Sequence, residues 1–588
     1  MRVNRYDQDE ENTSFHFSTY KRGLFYIKKY KVKLFIVFIL NCISIIATLC
    51  ITKILQYVID AIIPNSNYES LFTMIIFATL LVFVSIILTK IYSKMLAQVN
   101  LNIVEDIKND LFSHIQYLSF NYYDTRPHGK ILVRLTEYAE DVSTLITDKL
   151  VKTFLDLFNM IIVLGFMFYT SVKLTLIAIA GIIILSIIFA LTAKIKRKNK
   201  LLINNKNANL NAYSVETLKG MQTTQAFNRE KENEKIFSNL SADWKKANCK
   251  SIKYGNIGWC SVQIISHLVS ATIYFIGAMF LYPSISVGVI VAMGTYSSNF
   301  WQPIENLFVT LDDFINSITY LERILETMDE PIEIKDTEQA KEVEIKGLIE
   351  FKDVTFSYIE GIKVLDKLSF RVEPQEKVAI VGETGSGKTT ITNLIDRFYD
   401  IDSGNIFFDG TDIKDIKLKS LRKQIAIMQQ ENYLFSTSIM KNLQYGTDNI
   451  SEEEVIEICK KLKVHDWIMS LENGYDTKLN GNGKNLSDGE RQVLCYLRTI
   501  IHHPKILVLD EATSKMDIKT EKMLQNLSRE ITKNKTLITI AHRLSTIVDS
   551  DKIFFIKDKK IVEYGTHEQL MAAKGNYYRL YMSQAEIM

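Results

Sequence analysis

Residues 378–395 read VAIVGETGSGKTTITNLI, and this stretch decides the fold of the C-terminal half of the chain. An apolar strand at 378–381 leads into a glycine-rich loop, and a helix-forming run follows. The loop matches G-x-x-x-x-G-K-[ST], in which backbone N–H groups at a helix N-terminus close around phosphates. Lys388 then supplies a positive charge to the phosphates, and the Thr389 hydroxyl is a ligand of Mg²⁺. The predicted phosphate-binding residues are Gly382, Glu383, Thr384, Gly385, Ser386, Gly387, Lys388, Thr389 and Thr390.

A second motif lies further along, where the apolar run ILVL at 506–509 ends in Asp510 and Glu511. Such a strand beside the phosphate loop places Asp510 near the coordination shell of Mg²⁺. Glu511, one residue further on, can then polarise the attacking water as a general base. Two acids after an apolar strand are commonly just a solvated strand end. Together with the phosphate loop they indicate a site that hydrolyses a phosphate bond.

The N-terminal half differs in composition, because long apolar stretches fill it up to about residue 310. A hydrocarbon core of roughly 30 Å needs about 20 residues of apolar helix, and these stretches lack the opposing polar face of a soluble helix. A large apolar soluble domain is the disfavoured alternative. We predict an all-α, six-helix transmembrane domain followed by an α/β P-loop nucleotide-binding domain. The predicted spans are 34–55, 71–91, 154–170, 174–193, 259–281 and 287–309.

Two connections between these spans are long, at 92–152 and 194–257. Structureless loops of about 60 residues are uncommon, so we expect the membrane helices to continue into the cytosol and turn back. The tip of each hairpin can then contact a cytosolic domain. The predicted organisation is a polar tail with an interfacial helix at 1–30, a transmembrane domain with long cytosolic hairpins at 31–325, a linker at 326–348 and the nucleotide-binding domain at 349–588.

Charged residues beside the spans predict their orientation. Lysines and arginines crowd the approach to the first span and follow the fourth, whereas the connections after spans one, three and five are short and nearly uncharged. The positive-inside rule then places both termini in the cytosol, for a multi-pass chain in the cell membrane. The polar N-terminus has no apolar core of a cleavable signal peptide.

Net charge and cysteine content exclude several other classes. A net charge of +3 gives no indication of a polyanionic partner, so no nucleic acid is expected. The six cysteines are scattered without C-x-x-C spacing, which disfavours a disulfide framework and a zinc site. The lipid bilayer is the partner that the composition does predict.

Between the two motifs, residues 485–492 read NLSDGERQ, and here a family resemblance is visible. The stretch is similar to the L-S-G-G-Q signature of ATP-binding cassette (ABC) transporters. The resemblance covers nearly the whole chain, since six spans followed by one cassette is the half-transporter layout of the multidrug and lipid exporter branch. It implies ATP and Mg²⁺ as ligands, and an ATP hydrolase coupled to transport by alternating access.

The resemblance also implies roles for single residues. Tyr358 matches the aromatic residue that stacks on adenine, and Gln430 matches the glutamine that contacts Mg²⁺ and senses the membrane domain. His542 matches the histidine that contacts the γ-phosphate, and 514–517, ending in Asp517, match the D-loop. Residues 121–135 resemble the first coupling segment, with Asp124 and Arg126 at its tip, and 215–230 resemble the stretch around the second.

The signature departs from the family pattern. The family's signature serine, matched by Ser487, and its backbone N–H groups bind the γ-phosphate held by the opposite subunit. Here Asp488 replaces the first glycine and Glu490 replaces the glutamine, whereas Gly489 is retained. A carboxylate about 5 Å from a phosphate charge would cost roughly 3 kcal/mol at an effective dielectric near 20. The ATP site facing this signature should therefore hydrolyse poorly, unless the change is tolerated drift.

Three further departures are Gly481, where many exporters have glutamate, and Lys515 and Met516 in the D-loop. The hydrolytic residues of this chain are nevertheless complete. The resemblance therefore favours one subunit of a heterodimer, whose partner is a half-transporter with an intact signature and a weakened catalytic carboxylate. The alternatives are a homodimeric lipid flippase and a non-transporting sensor or ATP-gated channel.

The sequence says least about the substrate. A hydrophobic or amphipathic drug, lipid or peptide all fit spans rich in aromatic residues. The same residues could simply face lipid. Asp and Glu are almost absent from the spans, with Glu305 as the exception, which argues against an ion relay. The candidate substrate pocket comprises Trp259, Tyr274, Phe275, Trp301 and Glu305.

Overall fold

The structure is a computed structural model of the 588-residue chain. It describes residues 22–23, 25–383, 385–428, 433–447, 450–511, 523, 527, 530, 532–541 and 547–585. The chain divides into two compact units. The first comprises the described residues up to 116 together with 128–330, and the second comprises 117–127 and the described residues from 331 onwards.

The first unit is built from helices, and long apolar runs explain its six longest ones, of which α11 alone contains an interior proline, Pro303. The helices up to residue 329 are α1 (Phe25–Lys29), α2 (Lys31–Tyr57), α3 (Tyr68–Ile115), α4 (Phe120–Thr125), α5 (His128–Val133), α6 (Ala139–Thr144), α7 (Lys152–Thr170), α8 (Val172–Lys219), α9 (Met221–Ala226), α10 (Glu230–Ile276) and α11 (Val287–Asp329). Of these, α4 belongs to the second unit. Wider helical turns occupy Val58–Ile62, Arg134–Tyr138, Leu145–Val151 and Gly277–Leu281.

Each of the six predicted spans lies inside one of these helices, namely α2, α3, α7, α8, α10 with its wider turn, and α11. In the described part of the chain, four helical stretches are long and apolar enough to cross a membrane: Lys31–Ile62, Tyr68–Ile115, His128–Thr170 and Trp259–Leu281. A shorter apolar stretch covers Val172–Ile188. Helix α8 has 48 residues, about 70 Å at 1.5 Å per residue, which is more than twice the thickness of the hydrocarbon core.

The described start of the first unit is held by polar contacts to long helices. Lys29 Nζ lies 2.5 Å from Asp106 of α3, and the buried Tyr30 hydroxyl donates to the same carboxylate at 2.7 Å. Arg22 pairs with Asp329 at the end of α11. The described residues of this segment are therefore bound by side chains of α3 and α11, in addition to any contact with lipid headgroups.

The second unit contains two sheets. Its strands are β1 (Ile349–Ile359), β2 (Ile362–Val372), β3 (Lys377–Gly382), β4 (Ser403–Phe408), β5 (Thr411–Asp412), β6 (Ile425–Met428), β7 (Ile506–Glu511), β8 (Thr536–Ala541), β9 (Lys552–Lys557) and β10 (Lys560–Gly565). The antiparallel sheet has the order β2-β1-β4-β5, and the larger sheet has the order β10-β9-β3-β8-β7-β6. All pairs of the larger sheet are parallel except β10 with β9. The carboxyl ends of β3, β8, β7 and β6 therefore share one edge.

The helices of the second unit pack against these sheets and against one another. After α4 they are α12 (Lys388–Ile395), α13 (Leu418–Gln424), α14 (Ile439–Leu443), α15 (Glu452–Lys461), α16 (His465–Met469), α17 (Asp488–Ile501), α18 (His567–Ala573) and α19 (Asn576–Ala585). One core lies between the sheets, where the rings of Phe351 and Phe370 stack at 4.4 Å. A second core joins α14, α15 and α17 through residues such as Leu443, Val455 and Leu494. This second core positions the start of α17.

Candidate functional site

The glycine-rich loop between β3 and α12 has no room for side chains at two of its glycines. Gly387 adopts a φ of +101°, and a Cβ there would lie 2.8 Å from a methyl carbon of Leu365. A Cβ on Gly382 would lie 2.4 Å from the carbonyl oxygen of Ile556. Gly385 also has a positive φ, of +83°. The loop can therefore turn tightly into α12 only with glycine at these positions, which leaves its backbone N–H groups open to a ligand.

Lys388 and Ser386 show that this loop fits a phosphate. Lys388 is only 6% exposed, and its ammonium group donates to the carbonyl oxygens of Gly382 at 2.8 Å and Glu383 at 2.9 Å. It is thus held at the mouth of the loop. The Ser386 hydroxyl is buried and has no hydrogen-bond partner among the described residues. A buried hydroxyl without a partner is costly, and a phosphate oxygen would satisfy it.

Tyr358, at the end of β1, stands beside the phosphate-loop helix. Its hydroxyl donates to Thr390 Oγ1 at 3.3 Å and accepts from the Asn393 side-chain amide at 3.3 Å. Its ring packs edge-on against Tyr399 at 5.1 Å. The tyrosine is 37% exposed, so ring surface remains available to a ligand such as adenine.

The sheet order specifies where the strand of Asp510 and Glu511 lies. Strand β8 lies between β3 and β7, so β7 is the second strand from the phosphate-loop strand. Ile540 of β8 is opposite both Ile380 and Asp510. With strands about 4.8 Å apart, the Asp510 Cα is therefore about 10 Å from that of Ile380. Sequential patterns identify strands, but the order is decided by long-range pairing.

At the carboxyl ends of these strands, Glu511 lies close to the residue that precedes His542 in the sequence. Glu511 is opposite Ala541, the last residue of β8. His542 follows Ala541 directly but lies outside the described residues, as do Thr384, Gln430 and the D-loop with Lys515, Met516 and Asp517. The side chains of Asp510 and Glu511 are also outside the described part. Thr389 is exposed in the first turn of α12, where its hydroxyl oxygen suits Mg²⁺, which prefers oxygen ligands.

The signature forms a closed cap on α17. Ser487 is the N-cap residue, and its hydroxyl donates to Glu490 Oε2 at 2.9 Å. The Ser487 N–H donates to the same carboxylate oxygen at 2.9 Å, while the Glu490 N–H donates to Ser487 Oγ at 3.3 Å. The other carboxylate oxygen accepts from the Trp467 indole at 3.1 Å. Glu490 thus completes a capping box and is anchored by α16.

Asp488, the other altered signature residue, pairs with Arg491 one turn along the helix. The Asp488 side chain is 65% exposed and that of Arg491 27%. The arginine compensates part of the charge that a phosphate would otherwise meet. Gly489 is buried inside α17. Gly481 has a φ of +32°, and a Cβ there would reach only the Lys484 side chain at 4.0 Å, so space exists for the glutamate of the family pattern.

The five residues of the candidate substrate pocket have very different surroundings. Trp301 is only 1% exposed and packs in the core of the first unit, where a Cβ on Gly181 would come within 2.6 Å of its ring. A side chain without accessible surface cannot contact a ligand in this conformation, so the structure does not support Trp301 as a pocket residue. Phe275 is 60% exposed, Tyr274 44% and Trp259 39%, and Glu305 lies 3.5 Å from the Ser266 hydroxyl.

A polar cavity that the sequence did not reveal lies elsewhere in the first unit. It has a volume of about 350 Å³ and is lined by α2, α3, α7 and the turn before α7. Asp156 of α7 faces it and accepts from the Asn306 amide at 3.1 Å, while Asn41 donates to Asn159 at 2.7 Å. Asp156 lies inside the third predicted span, so the six spans contain an acid besides Glu305. A carboxylate within an apolar run was the signal that could have found it.

The segment 117–127 belongs to the same unit as the cassette sheets. The Phe120 and Phe398 rings lie 4.5 Å apart, and Ser119 donates to Glu333 at 2.8 Å. The Tyr399 hydroxyl donates to Asp124. Phe398 and Tyr399 follow the phosphate-loop helix by only a few residues, which sequence patterns did not single out. Arg126 stacks over the Tyr122 ring at 4.4 Å.

Comparison with known proteins adds to this picture. The family described as ABC transporter transmembrane region matches residues 34–304, and the family described as ABC transporter matches 365–514. An uncharacterized ABC transporter ATP-binding protein of Bacillus subtilis, YknV, is 33% identical over 97% of this chain and 95% of its own. A putative multidrug export ATP-binding/permease protein of Staphylococcus aureus is 32% identical over 96% of this chain and 99% of its own.

Among solved structures, a bacterial Atm1-family ABC exporter with ATP bound superposes with a TM-score of 0.80 at 25% identity. The match covers 95% of this chain and 98% of that one. Its extent includes both the membrane helices and the cassette. This chain belongs to the ABC transporters, as a membrane-spanning half-transporter that couples ATP hydrolysis to transport.

Proposed function

We propose that this chain exports a hydrophobic or amphipathic substrate across the cytoplasmic membrane, as one half of a heterodimer with one degenerate ATP site. Both termini lie in the cytosol, and the substrate is a drug, a lipid or a peptide. The observation that carries the heterodimer is the signature, whose serine is bound to Glu490 although the hydrolytic residues of the chain are complete.

The competing hydrogen bond explains why such a signature should serve ATP poorly. A serine hydroxyl has one proton, and Ser487 donates it to a carboxylate at 2.9 Å. To bind a phosphate oxygen it must give up a bond to a charged acceptor, which is worth about 1.5–3 kcal/mol. The glutamine of the family pattern offers only a neutral oxygen. We therefore infer that Glu490 weakens the opposing site more than Asp488, whose charge Arg491 compensates.

Hydrolysis is proposed to occur at the site that includes this chain's own phosphate loop. Bound Mg²⁺ supplies positive charge that neutralises the phosphates. Thr389 and Asp510, with Gln430, are the residues that would hold the ion, and Lys388 orients the phosphates. Glu511 takes the proton of the attacking water, and His542 donates to the γ-phosphate. Tyr358 holds the adenine by stacking.

The heterodimer is tested by comparing the ATPase activity of the chain purified alone with that after co-expression. The partner to use is a half-transporter with an intact L-S-G-G-Q signature and no catalytic glutamate. We expect activity only in the co-expressed pair, and its loss when Glu511→Gln is introduced into this chain. Full activity of the chain alone would support a homodimeric lipid flippase instead. ATPase activity without any substrate movement would support a sensor or channel.

Coupling of hydrolysis to transport is proposed to run through the segment with Asp124 and Arg126. The hydrogen bond from Tyr399 to Asp124 and the contact of Phe120 with Phe398 support this, because both partners directly follow the phosphate-loop helix. Such contacts bias the two states of an alternating-access cycle.

The coupling proposal is tested with Tyr399→Phe, which removes only the hydroxyl that reaches Asp124. We expect basal ATPase to persist while substrate-stimulated ATPase and transport fall. Tyr581→Phe, on α19, serves as the matched control. If Tyr399→Phe and the double change of Asp124 and Arg126 to alanine both transport normally, this segment does not transmit the signal.

An amphipathic substrate is favoured over a purely hydrophobic one by the polar cavity. Its lining combines the carboxylates of Asp148 and Asp156 with Lys152 and several asparagines. Polar groups of this kind orient a ligand, whereas apolar and aromatic surfaces hold its remainder. The name of the Staphylococcus aureus relative, which refers to multidrug export, agrees with this class. Uptake of amphipathic dyes into inverted vesicles, with Asp156→Asn as the variant, measures it directly.

A further inference from the structure

A second large cavity lies in the cassette, at the edge of the parallel sheet opposite to the phosphate loop. It is a cleft of about 1100 Å³ between α13, α15, the end of α17 and the residues that precede β7. Its walls include Lys423, His502 and Lys505. None of the residues assigned above to ATP or to coupling lines it.

Sheet register brings two lysines into a row at this edge, and a third lies beside them near the end of α13. Ile425, Ile506 and Thr536 are aligned across β6, β7 and β8. Lys505 and Lys535 directly precede their strands, and Lys423 comes two residues before β6. Because neighbouring strands lie about 4.8 Å apart, the backbone holds Lys505 and Lys535 side by side, while Lys423 precedes Gln424 at the end of α13. Backbone bonds from Lys505 N to Gln424 O at 2.8 Å and from Thr536 N to Lys505 O at 3.1 Å fix the row.

No carboxylate of the described residues lies within ion-pair distance of Lys423, Lys505 or Lys535. The opposite wall carries Glu454, but its carboxylate is bound to the N–H of Ser451 at 3.0 Å. Glu342 pairs with Lys417 at 3.2 Å. The lining contains four glutamates and three lysines, so positive charge is confined to the side of the cleft with Lys423 and Lys505.

His502 adds a buried ring nitrogen to this side. Its Nδ1 atom is buried and has no hydrogen-bond partner among the described residues. Burial lowers the pKa of His502, and the positive charges of Lys423, His503 and Lys535 lower it further. Burial also lowers the pKa of Lys535. All of these effects oppose positive charge, and a bound anion would counter them by favouring the charged forms.

We propose that this cleft binds a small multivalent anion, of the class of phosphorylated or polycarboxylated metabolites. The anionic group lies on Lys423 and Lys505, which donate charge-assisted hydrogen bonds, with the His502 ring beside them. Apolar side chains in the cleft, such as Ile450 and Ile458, contact the rest of the ligand. The acidic wall with Glu344 and Glu457 limits the ligand to a compact one, since a long polyanion would meet like charge there.

The test uses inorganic pyrophosphate as the probe and the full-length chain in nanodiscs. Lys388→Ala is present throughout, so that the phosphate loop contributes little binding. Calorimetric titration should show one saturable site per chain. Adding Lys423→Ala and Lys505→Ala should weaken it by about tenfold or more, since each removes a hydrogen bond from a charged donor.

Two further variants make the result specific. Lys441→Ala with Lys460→Ala removes the same charge from exposed positions outside the cleft and should leave the affinity within about twofold. Lys423→Arg with Lys505→Arg keeps the charge and should retain binding. Equal losses in the cleft and control variants, or no saturable binding up to about 10 mM pyrophosphate, would overturn the proposal.

Discussion

Two helices of the cassette, α12 and α17, each begin at a motif that serves ATP in this family, yet their ends differ. Helix α12 has no acidic residue in its first turn and has Asp396 at its C-cap. Helix α17 has Asp488 and Glu490 in its first turn, Arg498 in its last turn and His502 at its C-cap. The helix dipole favours acids at the N-terminus and bases at the C-terminus, which is the arrangement in α17. Helix α12 instead has a carboxyl group at its C-terminus, where the dipole is unfavourable.

This difference in charge at the helix ends indicates that the start of α12 is the better binding site for an anion. The start of α12 offers a lysine, a buried hydroxyl without a described partner and a loop that only glycine can form. The start of α17 already contains its own carboxylates, which take the bonds that a phosphate would need. A helix that is satisfied by its own residues is more stable but a weaker ligand site. Substitutions at the ends of the two helices can therefore test this contrast.

The strongest test concerns hydrolysis at the α12 side. Glu511→Gln should leave ATP binding nearly unchanged but lower the ATPase rate by about 10²–10⁴-fold, because it removes the general base. The rate is measured on the complex with its partner, and ATP affinity is measured separately. Glu472→Gln, an exposed change in the same unit, is the control. Retention of more than about a tenth of the activity would remove Glu511 from this role.

The second test changes the α17 side. Asp488→Gly with Glu490→Gln frees the Ser487 proton and removes the carboxylates, so the site on the partner's phosphate loop should bind ATP more tightly. In a heterodimer whose partner lacks the catalytic glutamate, turnover should barely rise. In a homodimer both sites improve, and a gain of about 1.4 kcal/mol would raise turnover about tenfold.

Single substitutions separate the two carboxylates. Glu490→Gln alone should give most of the gain in ATP affinity, because it acts on the hydroxyl of Ser487 directly. Asp488→Asn alone should give little, since Arg491 compensates that charge. If the order of the two effects is reversed, repulsion from Asp488 rather than the capping box weakens the signature.

Local patterns carried most of the sequence-based prediction. The phosphate loop, Tyr358 and the strand with Glu511 are contiguous motifs, so their order along the chain identified an α/β cassette after the membrane helices. The insertion of β8 between β3 and β7 could not be predicted in this way, since strand order depends on distant pairing.

The signature shows a different kind of miss. The spacing S-x-x-E at Ser487 and Glu490 is a recognisable capping box, and Arg491 follows Asp488 by one helical turn. Both signals are visible in the sequence. The family pattern indicates only which signature residues are replaced, and not the bonds that the new residues make. The buried position of Trp301 had no such signal, because packing against Gly181 joins distant helices.

At Ser386 we expect two smaller effects, a gain in stability of the free chain and a loss of ATP affinity. Ser386→Ala removes a buried hydroxyl without a described partner, so the chain without nucleotide should unfold at a higher temperature, by about 2–4 °C. ATP affinity should fall several-fold, because a hydrogen bond to a phosphate oxygen is lost. Ser420→Ala is the contrasting variant, since its hydroxyl donates to Val343 O at 3.1 Å and its loss should destabilise. A lower unfolding temperature for Ser386→Ala would show that the hydroxyl is satisfied in the free chain.

The last test concerns the other end of α12. Burial raises the pKa of Asp396 to about 7, against an ordinary value of 3.8, and Arg422 only partly opposes this. One Asp396 oxygen is buried without a hydrogen-bond partner among the described residues. The folded chain therefore holds this proton more tightly than the unfolded chain, so its stabilising contribution is complete below pH 4 and is lost as the pH rises through about 7. Asp396→Asn is neutral throughout, so it should remove this decline and unfold at a higher temperature than the wild type at pH 8.

Apparent unfolding temperatures of the full-length chain in detergent, recorded from pH 5.5 to 8, measure the effect. The difference between wild type and Asp396→Asn should grow with pH and reach a few degrees, as expected for about 1 kcal/mol. The exposed change Asp558→Asn should follow the wild type at every pH. A constant difference between wild type and Asp396→Asn across this range would mean that the carboxyl does not titrate there. A hydrogen-bond partner would then have to offset the unfavourable position of this carboxyl at the C-terminal end of α12. The contrast with α17 would rest on the N-terminal, phosphate-binding end alone.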